Sequence, residues 1–355
     1  MENIDMARSE NNLNAVFTDT ANAIRAKTDT TATICPRDFA DKINSIETGG
    51  GGMKAFFEAG GKCGESKATT FIGVIKYDDT SNLTNARQLF YYCTRLKSIP
   101  QMDLRKVTDT TEMFYQCTEL ITIPDINSEK LTCTQSMFDN CWVLKSVPAI
   151  NISMVTNARQ MFRSCGALTS IPMLDTGNLK EAAGMFQGCS KITTIPELDT
   201  KNVTTMESMF CDCSKLVTIP PLNTSNVTRM SDMFKYCSKL NSVPMMDTSN
   251  VTKMGGMCTS CESLTAVPEF DVGKVTDFWY TFYNCPNLEA IHFKNIKANL
   301  DIHWSTKLTR DALLEILNNL STVTETKTLT LGATNLTKLT DEDKAIATNK
   351  GWTLA

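Results

Sequence analysis

Apolar residues recur along the middle of this chain at a constant interval of 24 positions. The stretch Val227–Met246 shows the pattern of one unit. Its first half places apolar residues at the three- and four-residue steps of one helix face, namely Met230, Met233, Phe234, Cys237 and Leu240. Its second half puts Val243 and Met246 on the buried side of a short strand. A period of this length is typical of a solenoid, so each unit is predicted to run helix, turn, strand, turn.

The most regular position of the unit is a cysteine. It is occupied nine times, by Cys93, Cys117, Cys141, Cys165, Cys189, Cys213, Cys237, Cys261 and Cys285. Because nine of the 14 cysteines share this one apolar position, we expect buried, free thiols that act as small hydrophobes rather than a disulfide framework. Cys258 and Cys261 have the spacing of a redox or metal pair, but Cys258 fills the position that Phe234 holds in the preceding unit.

Polar residues and prolines separate the elements of each unit. Asp247–Asn250, with the sequence D-T-S-N, is predicted to turn the chain and begin the next helix, because these side chains accept from free backbone N–H groups. Proline cannot donate to a sheet, so Pro244 and its equivalents are predicted to end strands of about three or four residues. Parallel stacking at about 4.8 Å per unit would give a sheet about 40 Å long.

The repeated pattern N-V-T-x-M-x-x-M-F-x-x-C-x-x-L-x-x-[IV]-P occurs at Asn202–Pro220 and Asn226–Pro244. It resembles the BspA-like leucine-rich repeats of bacterial surface and phage proteins, over roughly Thr80–Lys294. The resemblance implies a leucine-rich-repeat solenoid with a role in adhesion or recognition. The fold class expected is therefore an α/β repeat solenoid of nine 24-residue helix–strand units with a parallel sheet, capped at both ends.

The first 48 residues differ from the repeats and contain two short amphipathic patterns. The segments Thr20–Thr28 and Pro36–Ile43 are similar to N-terminal modules of tailed-phage structural proteins. Two short helices bury too little surface to be stable alone, so they must pack on their own copies or on another protein. Residues 1–48 are therefore predicted to anchor the chain to virion proteins and to drive homo-oligomerisation. The resemblance to fibre-like tail proteins makes a trimer the natural expectation.

The remaining boundaries follow from changes in composition. We expect a glycine linker at 49–52, an N-terminal cap at 53–79, the solenoid at 80–299 and a C-terminal cap at 300–355. Within the last segment, a helix is predicted over Arg310–Asn319, a strand over Thr328–Leu331, and a final helix that Thr340 caps and Gly351 ends. The alternative for 300–355 is a separate functional domain.

Charge and composition narrow the possible functions. A net charge of −4 gives no basic face for nucleic acid. No stretch approaches the roughly 18 consecutive apolar residues of a membrane span, so no membrane insertion is expected. The N-terminus lacks the basic start and apolar run of a secretory signal.

Catalytic motifs are missing from the sequence. The two histidines, His292 and His303, have no Ser or Cys partner in a recognisable motif, and no phosphate-binding or zinc-protease motif occurs. We predict no enzyme activity, no cofactor and no metal. One alternative is a pair of carboxylates from Glu197 and Glu269, which could project from the same sheet.

Candidate binding residues lie where the unit tolerates variation. One variable position precedes the strand and includes Lys97, Lys145 and Asn241. Another follows the proline and includes Glu197 and Glu269. Variation at a solvated surface explains the same pattern.

A third candidate is the aromatic group Trp279, Tyr280 and Tyr283, residue types that are enriched in interface hot spots. The alternative for these rings is packing under the C-terminal cap.

Together these features favour a phage tail appendage located in the virion, which binds a host-surface glycan or protein. The alternatives are a bacterial cell-surface adhesin and a purely structural virion protein whose repeats contact neighbouring virion proteins.

Overall fold

The computed structural model describes residues 81, 83–99 and 101–355. Parallel backbone pairing joins successive units at positions 24 residues apart. The paired residues are Asn85, Asp109, Cys133, Asn157, Glu181, Thr205, Arg229, Lys253 and Asp277. The chain therefore forms a repeat solenoid, as predicted. The predicted N-terminal module (1–48), linker (49–52) and first cap (53–79) lie outside the described residues.

The helix predicted in each unit is wrong. Asp232 and Tyr236 have positive φ angles of 56° and 62°, which an α-helix does not contain. The N–H groups of Asp232, Phe234 and Tyr236 donate to carbonyls of the next unit at 2.8–2.9 Å, so they cannot bond to residues four positions earlier. The Met233 N–H closes a tight turn on the Met230 carbonyl at 3.2 Å. Consecutive tight turns thus produce the same spacing of apolar residues that a helix would.

The described repeats also contain fewer regular strands than the predicted continuous sheet. Within the described repeats, regular strands occur only as two parallel pairs, β1 (Met102–Asp103) with β2 (Ile126–Asn127) and β3 (Ala266–Asp271) with β4 (Ala290–Lys294). Pro268 lies inside β3 rather than at its end, but the pairing register shifts between Val267 and Phe270. The missing proline N–H therefore interrupts the ladder without ending the strand.

A column of stacked phenylalanine rings runs through the interior. Neighbouring rings are nearly parallel, at 3–8°, and their centroids lie 5.3–5.9 Å apart. The stack consists of Phe90, Phe114, Phe138, Phe162, Phe186, Phe210 and Phe234. All seven rings are fully buried. The column joins the units into one core, because every inner ring contacts the ring on each side.

The cysteine column lies beside the rings and has a polar role that the sequence did not indicate. From Cys117 onward, each thiol donates to a backbone carbonyl 27 residues earlier, at 3.0–3.2 Å. In Cys189, for example, Sγ donates to the Phe162 carbonyl. These cysteines are buried and free, as predicted. Cys93 is instead disulfide-bonded, so the prediction of free thiols is wrong at the first member of the column.

We expect the buried thiols from Cys117 to Cys285 to resist alkylation until the protein unfolds. Burial raises the pKa of the Cys189 and Cys285 thiols to about 12, so little reactive thiolate forms at pH 8. The measurement is iodoacetamide labelling at pH 8 with peptide mass spectrometry, before and after denaturation. Cys133, which is only partly buried, is the internal control and should label first. Rapid native labelling of Cys189 would contradict the interior assignment.

The C-terminal segment adds regular elements to the solenoid. In chain order these are β5 (Leu300–Asp301), α1 (Arg310–Asn319), β6 (Lys327–Thr330), α2 (Gly332–Leu336), α3 (Asp341–Thr348) and β7 (Trp352–Leu354). The three strands form a parallel sheet of order β5-β6-β7. The predicted helix at 310–319 is confirmed, and the predicted strand at 328–331 is displaced by one residue. Helix α2 was not predicted.

Local sequence explains where these helices begin and end. The Thr309 hydroxyl accepts from the Ala312 N–H at the start of α1. Thr340 and Asp343 form a reciprocal capping box at the start of α3, where the sequence predicted the cap. Lys350 Nζ donates to the carbonyls of Leu317 and Asn318 at 3.1 and 2.6 Å, which ties the end of α1 to the last turn. Buried residues of this segment continue the core of the repeats.

Candidate ligand-binding site

The variable position before the strand lies on one exposed line of the solenoid. The N–H of Ile121 donates to the Lys97 carbonyl at 3.1 Å, and the N–H of Lys145 donates to the Ile121 carbonyl at 3.0 Å. This backbone ladder keeps Lys97 and Lys145 in register, about 10 Å apart for two steps of roughly 4.8 Å. Asn241 occupies the same position further along and is also exposed. The structure therefore places these three predicted residues on one surface.

The position after the proline is exposed as well, but it does not assemble a carboxylate pair. Three periods separate Glu197 from Glu269, or about 14 Å at roughly 4.8 Å per step, which is too far for shared acid–base chemistry. Glu269 Oε2 instead pairs with Lys294 Nζ at 2.6 Å. Met173 and Met245 share this position and are 71% and 65% exposed.

The aromatic group lies at the surface rather than under the C-terminal segment. Trp279 and Tyr280 are 68% and 47% exposed, and their ring centroids are 4.3 Å apart. Tyr283 contacts Tyr280 at 5.2 Å and Trp304 at 5.0 Å, both edge-on. The four rings form a continuous aromatic strip, Trp279–Tyr280–Tyr283–Trp304. Trp304 was not among the predicted site residues.

Two glycines keep one side of the strip open. Gly255 and Gly256 occupy, one unit earlier, the positions of Trp279 and Tyr280, and the Gly256 N–H donates to the Trp279 carbonyl at 2.6 Å. Gly256 has a φ of +68°, and a Cβ at this position would collide with the Asp232 carboxylate. The unit next to Trp279 therefore presents only backbone at these two positions.

A groove of about 740 Å³ lies on the other side of the strip. Residues 273–280 form one wall, and residues 297–301 with parts of β6 form the other. Its size falls within the range of about 300–1,000 Å³ that is common for small-molecule sites. The groove is half open to solvent and brings the predicted Trp279 and Tyr280 together with residues of the C-terminal segment.

Polar side chains of the groove retain free hydrogen-bonding capacity. Asp277 Oδ1 accepts from the Trp279 N–H at 2.9 Å, and Asp301 Oδ1 contacts His303 Nδ1 at 2.5 Å. The second carboxylate oxygen of each aspartate has no hydrogen bond within the part of the chain that the structure describes. Lys297 is exposed at the rim, and Lys327 pairs only loosely with Glu325, at 3.4 Å. The arrangement can therefore bind a ligand that has both apolar faces and hydroxyl groups.

Sequence reasoning missed Asp277, Asp301, Lys297 and Trp304. Asp277 lies in the paired column, two residues before Trp279, and was the available signal. Lys297 comes from the end of the last unit, and Asp301 and Trp304 come from the segment after the repeats; all three reach the aromatic strip only when the chain folds.

The described residues contain no group of three or more His, Cys, Asp or Glu side chains that could hold a metal ion. Across residues 81, 83–99 and 101–355, no helix is both long and apolar enough to cross a membrane.

The stacked units make this chain a repeat-solenoid protein. A family model described as "Mycoplasma protein of unknown function, DUF285" matches residues 65–147, 132–219 and 215–306. The three matches together span more than half of the chain, which belongs to this family.

The comparison with solved structures finds partial likenesses. The T. pallidum leucine-rich-repeat protein TpLRR is 17% identical, with a TM-score of 0.36 over 50% of this chain and 78% of that one. A TLR13–ssRNA13 complex is 13% identical, with a TM-score of 0.28 over 70% of this chain and 42% of that one. No curated protein matches the sequence. The family assignment rests on the family model.

Proposed function

We propose that this chain is a non-enzymatic recognition protein that binds a surface partner through its solenoid. The observation that carries the proposal is the contrast between interior and exterior positions. Interior positions are nearly uniform, as in the Phe and Cys columns, whereas exposed positions held in register by the backbone ladder differ in charge, size and polarity. The exposed strip of Trp279 to Trp304 adds residue types that are enriched where proteins bind partners.

The finer proposal is a tail appendage of a phage, located in the virion. Its support is the similarity of Thr20–Thr28 and Pro36–Ile43 to N-terminal modules of tailed-phage structural proteins. In this proposal residues 1–48 bind virion proteins and form a homo-oligomer, which multiplies weak contacts between each solenoid and the host surface. Recovery of the chain in purified particles supports this location, and recovery in the washed cell envelope of the producing culture supports an adhesin.

We also propose that the solenoid has nine units and is capped at both ends. The unbroken pairing from Asn85 to Asp277 and the nine-cysteine period support the count. The packing of α1 against β4, and the core that continues through Leu313 and Leu329, support residues 300–355 as the second cap rather than a separate domain. A cap is needed because the last unit would otherwise expose an apolar face.

We expect the full-length protein to adsorb saturably to intact cells of at least one strain in a panel of bacteria. Two variants test the surfaces: Trp279→Ala, and the triple change of Lys97, Lys145 and Glu197 to Ser. At least one should lower adsorption about tenfold or more, which corresponds to about 1.4 kcal/mol. The measurement is quantitative cell binding of labelled protein.

Trp142→Ala is the matched control for Trp279→Ala, because Trp142 is 55% exposed and lies more than five repeat periods before Trp279. It is not a control for the triple change, because Trp142 is only three residues from Lys145. The control should bind like the parent. Adsorption that neither test variant reduces would rule out both surfaces. A parent protein that binds no strain would exclude recognition of a host surface and favour a structural virion role.

A further inference from the structure

We propose that the groove beside Trp279 and Tyr280 is a carbohydrate-binding site that takes a short neutral oligosaccharide. This inference rests on the proposed recognition function and names the ligand class of one of its surfaces. Three observations support it: the exposed ring of Trp279, the open glycine surface beside that ring, and the free polar groups in the two walls of the groove.

The exposure of Trp279 has no explanation in the repeat. The equivalent position in the other units carries small or polar residues, namely Arg87, Thr111, Gln135, Arg159, Ala183, Glu207, Ser231 and Gly255. Trp279 is 68% exposed and contributes little to the core. An exposed indole face offers a flat apolar platform with a polar N–H at its edge. Sugar rings present C–H faces that pack on such a platform.

The surroundings leave room for a ring stacked on the indole. Gly255 and Gly256 add no side chain on one side of Trp279, and Tyr280 extends the aromatic surface on the other. Gly256 carries no side chain, and a Cβ at this position would collide with the Asp232 carboxylate, so the surface beside Trp279 is open backbone. The groove of about 740 Å³ then continues from the platform toward β5 and β6.

The two walls of the groove supply the polar partners that hydroxyl groups need. Asp277 and Asp301 line the groove, and each holds one carboxylate oxygen in place through a local hydrogen bond while the other has no partner among the described residues. A carboxylate oxygen accepts from hydroxyl donors, and Thr328 and Thr330 add hydroxyls that both donate and accept. Lys297 and Lys327 contribute donors near the rim.

These groups favour a neutral saccharide over other ligand classes. Nucleic acid requires a basic face, and the groove contains two aspartates in a chain of net charge −4. A protein hot spot typically sits in a desolvated apolar pocket, whereas this groove is open and its walls mix polar and apolar side chains. The lining has three lysines and two aspartates, but Lys327 pairs with Glu325 and Lys274 Nζ donates to Asn250 Oδ1, so the groove presents no cluster of unpaired lysines for an anionic sugar.

The test is a printed array of neutral and uronic acid-containing oligosaccharides, probed with the full-length protein. We expect binding to at least one neutral pyranose oligosaccharide. In calorimetric titration with that sugar, Trp279→Ala should lose at least tenfold in affinity and Asp301→Asn at least threefold, whereas Trp142→Ala should be unchanged. Because these side chains are at the surface, the variants should melt like the parent. Failure of the parent to bind any array sugar, or parental affinity in Trp279→Ala, would overturn the proposal.

Adsorption to treated cells distinguishes the carbohydrate proposal from the recognition function on which it rests. Mild periodate oxidation of the cells, which cleaves vicinal diols, should abolish the part of adsorption that depends on Trp279. Adsorption that survives periodate but is lost after protease treatment would identify a protein ligand, so the carbohydrate proposal would fail while recognition stands. Absence of adsorption to untreated cells would refute the recognition function itself.

Discussion

Replacing Cys189 with aspartate is expected to destabilise the solenoid by at least about 3–5 kcal/mol, a large part of the roughly 5–15 kcal/mol of a typical protein. Cys189 is fully buried, and its thiol donates to the Phe162 carbonyl. A carboxylate at this position would lose its hydration and place a charge against a carbonyl oxygen. The measurement is the free energy of unfolding by urea, followed by circular dichroism, together with the melting temperature.

The same change at Cys133 is the matched control. Cys133 is partly exposed and lies in the paired column where the chain already has Asp109 and Asp277. Cys133→Asp should therefore stay within about 0.5 kcal/mol of the parent, as surface substitutions usually do. Equal melting temperatures for the parent and Cys189→Asp would show that the column is not interior.

The second large effect is expected for Phe162→Ala, which should lower the free energy of unfolding by about 3–5 kcal/mol. The Phe162 ring stacks between Phe138 and Phe186, with centroid distances of 5.5 and 5.8 Å. Removing the ring leaves a cavity that both neighbours line, and the backbone ladder prevents the units from closing it. Urea unfolding, compared with the parent, measures the loss.

Trp142→Ala removes a larger side chain but should change the free energy of unfolding by less than about 0.5 kcal/mol. Trp142 is 55% exposed and stacks on no other ring within the described residues. A cost for Phe162→Ala no larger than that for Trp142→Ala would contradict the role of the ring stack in joining the units. The comparison separates loss of apolar surface in general from loss of packing between units.

The 24-residue period was sufficient to predict stacking and the buried positions, but not the backbone conformation. Apolar residues at Met230, Met233 and Phe234 have the spacing of a helix face. Tight turns give the same spacing, and the two differ in where the N–H groups bond. In the structure the N–H of Phe234 bonds to Met257 in the next unit, at 2.8 Å. Local secondary-structure propensities cannot indicate a hydrogen-bond partner that lies 23 positions away in the sequence.

For the cysteine column too, the sequence predicted burial but not the hydrogen bond that each thiol makes. The sequence indicated that Cys189 is buried, because its position alternates with apolar ones. It did not indicate why cysteine, rather than alanine or valine, occupies it. The structure supplies a reason: the thiol fits the small space and also donates to the Phe162 carbonyl, which an alkyl side chain could not do. The disulfide at Cys93 likewise depends on a contact that the period does not encode.

By itself, the sequence determined the repeat, its interior and two helices of the C-terminal segment, one of them with its N-cap. These depend on periodic burial and on local bonds such as that between Thr340 and Asp343, which span only a few residues. Only the tertiary structure decided the path of each unit and the groove at Trp279. Both arise from groups distant in sequence: backbone partners one unit away, and the Asp301 wall, which meets the aromatic strip only after the last repeats and the C-terminal segment have packed together.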